Sequence, residues 1–122
     1  MATDKFAHEE LNVWHKAVDF ATGIVTLLED VGTDRKHYRL FEQVEASAVS
    51  VAANIAEGKG RYSTKEFIHF LYIARGSLYE TMTFLEIFRR KQWVGDPSHA
   101  KLDTQGKEIA AMLKGLINSL AE

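Results

Sequence analysis

Apolar residues recur at three- and four-residue intervals along most of this chain, the spacing of one face of an α-helix and unlike the alternation of a strand. Trp14, Ala17, Val18, Ala21, Ile24, Val25 and Leu28 trace the first such face and predict a helix over about 10–30. Val31-Gly32-Thr33-Asp34 ends it, with Gly32 suited to a left-handed cap. Leu40, Val44, Ala48, Val51 and Ile55 predict a second helix over about 35–57, stopped by Gly58 and Gly60. Its middle, Ala46 to Ala53, is nearly all small residues, which let a neighbouring helix approach closely.

The third helix, about 64–91, opens on Ser63-Thr64-Lys65-Glu66, a capping box in which the hydroxyl serves an orphan amide and the glutamate reaches back. It carries two apolar stripes. Phe67, Leu71, Ala74, Leu78, Met82, Leu85 and Phe88 form one, and Phe70, Ile73, Ser77, Phe84 and Ile87 the other. A helix in a monomeric bundle needs one buried face, so the second argues for a partner subunit, with Phe70, Ile73, Phe84 and Ile87 as interface candidates. Asp96 as cap and Pro97 as first helical residue open a fourth helix over about 97–121. Linkers this short make consecutive helices antiparallel neighbours. The expected fold is all-α, a single domain over 1–122 forming an up-down-up-down four-helix bundle that self-associates.

Composition adds exclusions more than assignments. One proline and no cysteine leave little to interrupt helices and no thiolate or disulfide, which suits a reducing cytoplasm. No leader-like apolar run opens the chain, and no stretch is long enough for a membrane span. A net charge of −2 gives no global pull toward nucleic acid or anionic lipid.

Candidate chemistry is sparse. With the turn between the second and third helices near residue 60, Gln43 is expected level with Ser77, Arg39 with Glu80, and Asn54 with Glu66. Gln43, Asn54, Ser77 and Glu80 then read as register-fixing hydrogen-bonding groups, and Glu57, Gly58, Arg61, Ser63 and Glu66 as turn and capping residues. Glu66-Phe-Ile-His69 resembles half of a di-iron motif, but no second copy exists. No nucleophile elbow or phosphate-binding loop is present, so no catalytic, cofactor or metal site is expected. The best charge feature lies where the first and third connections share an end. Arg35, Lys36, Arg39, Arg89, Arg90, Lys91 and Lys101, seven of the 15 basic residues, would form a basic rim able to contact RNA or DNA.

Three runs carry a family resemblance: Gln43 to Gly58 with its Asn54-Ile-Ala-Glu-Gly58 ending, Arg61 to Phe67, and Phe70 to Glu80, preceded by Leu11-Asn-Val-Trp14-His-Lys-Ala17. Together they resemble the 23S ribosomal-RNA intervening-sequence proteins over about residues 10–94. The resemblance implies a small bacterial four-helix bundle assembling as a homopentamer, without established enzymatic activity and with a proposed nucleic-acid role. Glu45 and Ala46 stand where that family commonly has two basic residues, which weakens the nucleic-acid implication. The reading that results is a non-enzymatic oligomeric scaffold or adaptor that binds another protein, with a nucleic-acid accessory protein as the alternative.

Overall fold

The computed structural model describes residues 4–32 and 35–122, with no side-chain description for Arg35. Helix α1 spans Asn12–Val31, α2 Tyr38–Lys59, α3 Thr64–Arg90 and α4 Asp96–Ala121. Single 3₁₀ turns, Ala7–Glu10 and Arg35–His37, lead into α1 and α2. Helix α1 therefore starts two residues later than its apolar pattern suggested, because the 3₁₀ turn occupies the approach. There the Phe6 amide donates to Glu9 Oε2 at 2.7 Å.

The helix ends follow from local chemistry. Gly32 takes φ 63° and ψ 153°, backbone open to glycine and strained for other residues. Ser63 Oγ accepts the Glu66 amide at 3.1 Å, the Ser63 half of the capping box. Helix α3 ends in a Schellman motif: the Trp93 amide donates to Phe88 O at 2.9 Å and the Gln92 amide to Arg89 O at 3.0 Å. Gln92 fills its left-handed position at φ 60°, where glycine is usual. At α4 the expected cap is displaced by one residue. Gly95 is the N-cap and Asp96 the first helical residue, so Asp96 adds its charge to the first turn without capping it.

Each helix packs on its chain neighbour, and α1 closes the ring against α4. Directions can be read from pairs of residues. Ser47 faces Thr81 and Ser50 faces Ser77 across α2 and α3. Lys16 reaches Glu108 across α1 and α4, while the open edge of Gly106 faces Met82 across α3 and α4. The two α2–α3 pairs advance along one helix as they retreat along the other, the antiparallel relation that an up-down-up-down bundle requires of these two helices. The core is Phe20, Ile24, Val44, Val51, Ile55, Leu71, Leu78, Leu85, Phe88, Ile109 and Leu113, each with no more than a trace of exposure. On α3 the inward stripe is Phe67, Leu71, Ala74, Leu78, Leu85 and Phe88, with Thr81 among them fully buried.

The α2–α3 seam is the closest of the four. Gly58 sits so near α3 that a Cβ there would lie 2.6 Å from Phe70 Cβ and 3.0 Å from Phe67 Cδ1. The pairing runs about two turns beyond the expected register, because α2 continues through Lys59 and the chain turns over Gly60 to Ser63. Gln43 is therefore exposed and not level with Ser77, and Asn54 does not meet Glu66. Arg39 and Glu80 are likewise exposed and make no ion pair among the described residues.

Candidate functional site

Three polar assemblies were candidates for function: the seam between α2 and α3, the turn joining them, and the basic end. In the seam, Ser47 Oγ donates to Val44 O at 3.0 Å and lies 2.7 Å from Thr81 Oγ1, which itself donates to Ser77 O at 2.8 Å. A hydroxyl has one proton, so three contacts share two protons. Ser50 Oγ meets Ser77 Oγ at 2.9 Å, and Asn54 Nδ2 donates to both Ser50 O and Ser50 Oγ at 2.8 Å. These groups satisfy one another inside the bundle and leave no converging site. Thr81, central to the seam, was missed from sequence because it interrupts an otherwise apolar stripe.

At the turn, Arg61 Nη2 lies 2.6 Å from Glu57 Oε1 and its guanidinium 4.8 Å from the centre of the Phe70 ring. Lys59 caps the Phe67 ring at 5.6 Å. The turn is thus held by an exposed ion pair and by cations over aromatic faces. Glu66 and His69 are exposed, and His69 meets the edge of Phe70 with ring centres 5.7 Å apart.

The first and third connections do share an end. His37 packs on Trp93 at 4.8 Å, and Trp93, Phe41 and Phe88 form an aromatic knot with ring centres 5.2 to 5.8 Å apart. The cations around it are not equally free. Arg89 forks onto Glu86 through Nε at 3.0 Å and Nη2 at 2.8 Å, and Arg90 Nε reaches the same carboxylate at 2.8 Å. Lys91 lies 5.9 Å from the Trp93 ring centre, while Arg39 and Lys101 are exposed on different helices. Lys36 is exposed too, and the side chain of Arg35 lies outside the described residues. Glu86 had a legible signal, an acid three and four residues before two arginines on one helix.

Hydrogen bonds from Arg89 and then Arg90 hold the Glu86 carboxyl down at about 2, below its ordinary 4.5. A depressed acid contributes stability above its unfolded pKa and loses it as pH falls through the folded one. Glu86→Gln is therefore expected to lower stability at pH 7, by an amount that solvent screening keeps small for so exposed a group, and to lose that difference as pH falls from about 4.5 to 2. Urea midpoints at pH 2.5, 4 and 7 check this; an unchanged acid slope would remove Glu86 from the account.

Among the described residues no group of three or more histidines, aspartates or glutamates is placed to hold a metal ion. No helix is long and apolar enough to cross a membrane. Phe70 and Phe84 are half-buried against their own chain, whereas Ile73 and Ile87 are exposed. Tyr72 and Tyr79, absent from the interface expectation, are exposed beside them with the Arg75 guanidinium 4.7 and 5.8 Å from their ring centres.

What these residues define is an all-α four-helix protein whose polar side chains mostly bond within their own helix, with Ser47–Thr81, Ser50–Ser77 and Lys16–Glu108 bridging from one helix to the next. Residues 9–115 match the family of 23S rRNA-intervening sequence proteins, and the chain belongs to that family. It is also similar to a solved protein of unknown function from the S23 ribosomal protein family of Bacteroides thetaiotaomicron. The identity is 28% and the TM-score 0.80, over 86% of this chain and 97% of that one. No curated protein matches.

Proposed function

We propose that the protein is a non-enzymatic homo-oligomeric scaffold or adaptor, with five copies as the assembly that the sequence resemblance implies, working in the cytoplasm. The observation that carries this reading is the outward face of α3. Tyr72, Ile73, Tyr79 and Ile87 are 46, 38, 54 and 42% exposed along it, and Gly76 between them has open space where a Cβ would stand. Large side chains flanking a glycine offer a partner helix a seat, and tyrosine beside arginine is the composition of interface anchors. The core stripe of the same helix is used by α2 and α4, so this face has no occupant among the described residues of the chain.

Nucleic-acid binding at the basic end has less support. Its two most closely spaced arginines already share Glu86. Light scattering at micromolar concentration is the test, and an assembly larger than a monomer is the expected result. Ile73→Glu with Tyr79→Glu should convert it to folded monomers, since buried unpaired charges oppose association. A wild-type monomer, or a double variant that still assembles, would exclude the α3 face. Gel shifts with structured RNA at low salt test the other reading.

A further inference from the structure

The seam between α1 and α4 is the loosest of the four, and it opens into a groove of about 510 Å³. Gly23 makes it possible: its missing side chain faces Leu102, whose Cδ2 would stand 3.2 Å from an added Cβ. Gly23, Leu27 and Leu102 supply the apolar part of the lining, with Asp19, Thr22, Thr26 and Gln105 beside them.

Acceptors outnumber donors in the polar lining, where Ser98 and Lys101 supply donors at the end near Asp30 and the Asp19–Gln105 end offers acceptors. Thr22 Oγ1 donates to Val18 O at 2.8 Å and Thr26 Oγ1 to Thr22 O at 3.0 Å, so each hydroxyl proton is committed and only lone pairs remain. Asp19 and Asp30 have no hydrogen bond or salt bridge among the described residues, and they outnumber the one cation of the lining, Lys101. Gln105 Oε1 is sealed from water with no hydrogen-bond partner, a state that buried polar atoms seldom keep.

Asp19 and Gln105 also line a smaller cavity of about 180 Å³ with Lys16 and Glu108, so the two cavities meet at that pair. One ammonium is already held there from within the chain: Lys16 Nζ lies 2.9 Å from Glu108 Oε1. Its pKa is raised first by the Glu108 hydrogen bond and further by the charge of Asp19.

We propose that this groove binds an aliphatic primary amine, with the ammonium between Asp19 and Gln105 and the alkyl stem on Gly23, Leu27 and Leu102. A small turn of the Gln105 amide toward the groove gives its oxygen the donor it lacks, and Asp19 supplies the opposite charge. The volume suits a small ligand with an apolar stem and few polar contacts. Lys101 sits one turn from Gln105 on α4 and opposes a second positive charge.

The probe is n-pentylamine, with 1-pentanol and pentanoate as uncharged and oppositely charged controls, followed by ligand-observed NMR and calorimetric titration. Pentylamine should bind and the controls should not. Asp19→Asn should weaken it about tenfold, Gln105→Leu should also weaken it, and Lys101→Ala should tighten it. Asp19→Asn alters an exposed side chain, so it keeps the test readable if Gln105→Leu disturbs packing. Three results would overturn the proposal: no pentylamine binding, equal binding of pentanol, or pentanoate binding that Lys101→Ala abolishes.

Discussion

Gly58→Val is expected to destabilise the folded chain by about 3 kcal/mol or more, by overpacking a seam that has no slack. An added Cβ would meet Phe70 Cβ at 2.6 Å and the Phe67 carbonyl oxygen at 3.2 Å. Neither is the far end of a flexible side chain, so relief requires α2 and α3 to part, and the Ser50–Ser77 contact about two turns away must lengthen with them. Helix propensity works in the opposite direction by only a few tenths of a kcal/mol. Gly115→Ala is the control. It lies in α4 with nothing within 4 Å of an added Cβ and should stabilise by up to about 1 kcal/mol. Urea denaturation of both variants checks the pair, and a destabilisation no greater at Gly58 than at Gly115 would refute the close approach. Gly106 is intermediate, since what an added Cβ meets there is the thioether of Met82, which can swing aside.

Phe88→Ala should cost about 3–5 kcal/mol, the range for emptying a fully buried aromatic site. Its ring has no exposure and touches Phe41 from α2 at 5.4 Å and Trp93 at 5.2 Å. The loss should reach beyond packing. Phe88 O receives the Trp93 amide that closes the end of α3, so the ring contact and the backbone cap support each other. In a Trp14→Phe background, Trp93 emission should shift to longer wavelength as water reaches the indole. A cost under 1 kcal/mol with unchanged emission would mean that the two connections are held together by something other than this knot.

Much of the fold was legible because the apolar period is strong and the punctuation is chemical. Ser63, Pro97 and Gly32 each mark a boundary by what their side chains allow, and all lie within a residue or two of an observed helix end. Register was not legible. Apolar stripes slide over one another with little penalty, and locating the turn at residue 60 put Gln43 beside Ser77 when Ser50 is there. Nor could periodicity choose between the two stripes of α3; burial of Leu71, Leu78 and Leu85 makes that choice in three dimensions. As a sum of charges the basic rim holds seven cations, whereas two of its arginines are spoken for by a glutamate within the same helix. The α1–α4 groove had no sequence signal at all. Gly23, Asp19 and Gln105 are unremarkable until two helices lie side by side and leave an amide oxygen without a donor.

The hydroxyl pairs of the α2–α3 seam behave like the two scales of a vernier. Ser47 and Ser50 are three residues apart on one helix, while their partners Thr81 and Ser77 are four apart on the other. Sliding α3 by one turn in one direction brings Ser50 to Thr81 but sets Ser47 against Leu85. In the other direction Ser47 meets Ser77, and Ser50 faces Ile73. Either slide gives up one of the two hydroxyl contacts between the helices, a loss of about 0.5–1.5 kcal/mol that the apolar stripes alone would not impose. The graduations coincide at a single setting, so a handful of small polar side chains selects one alignment from several that the hydrophobic core would accept.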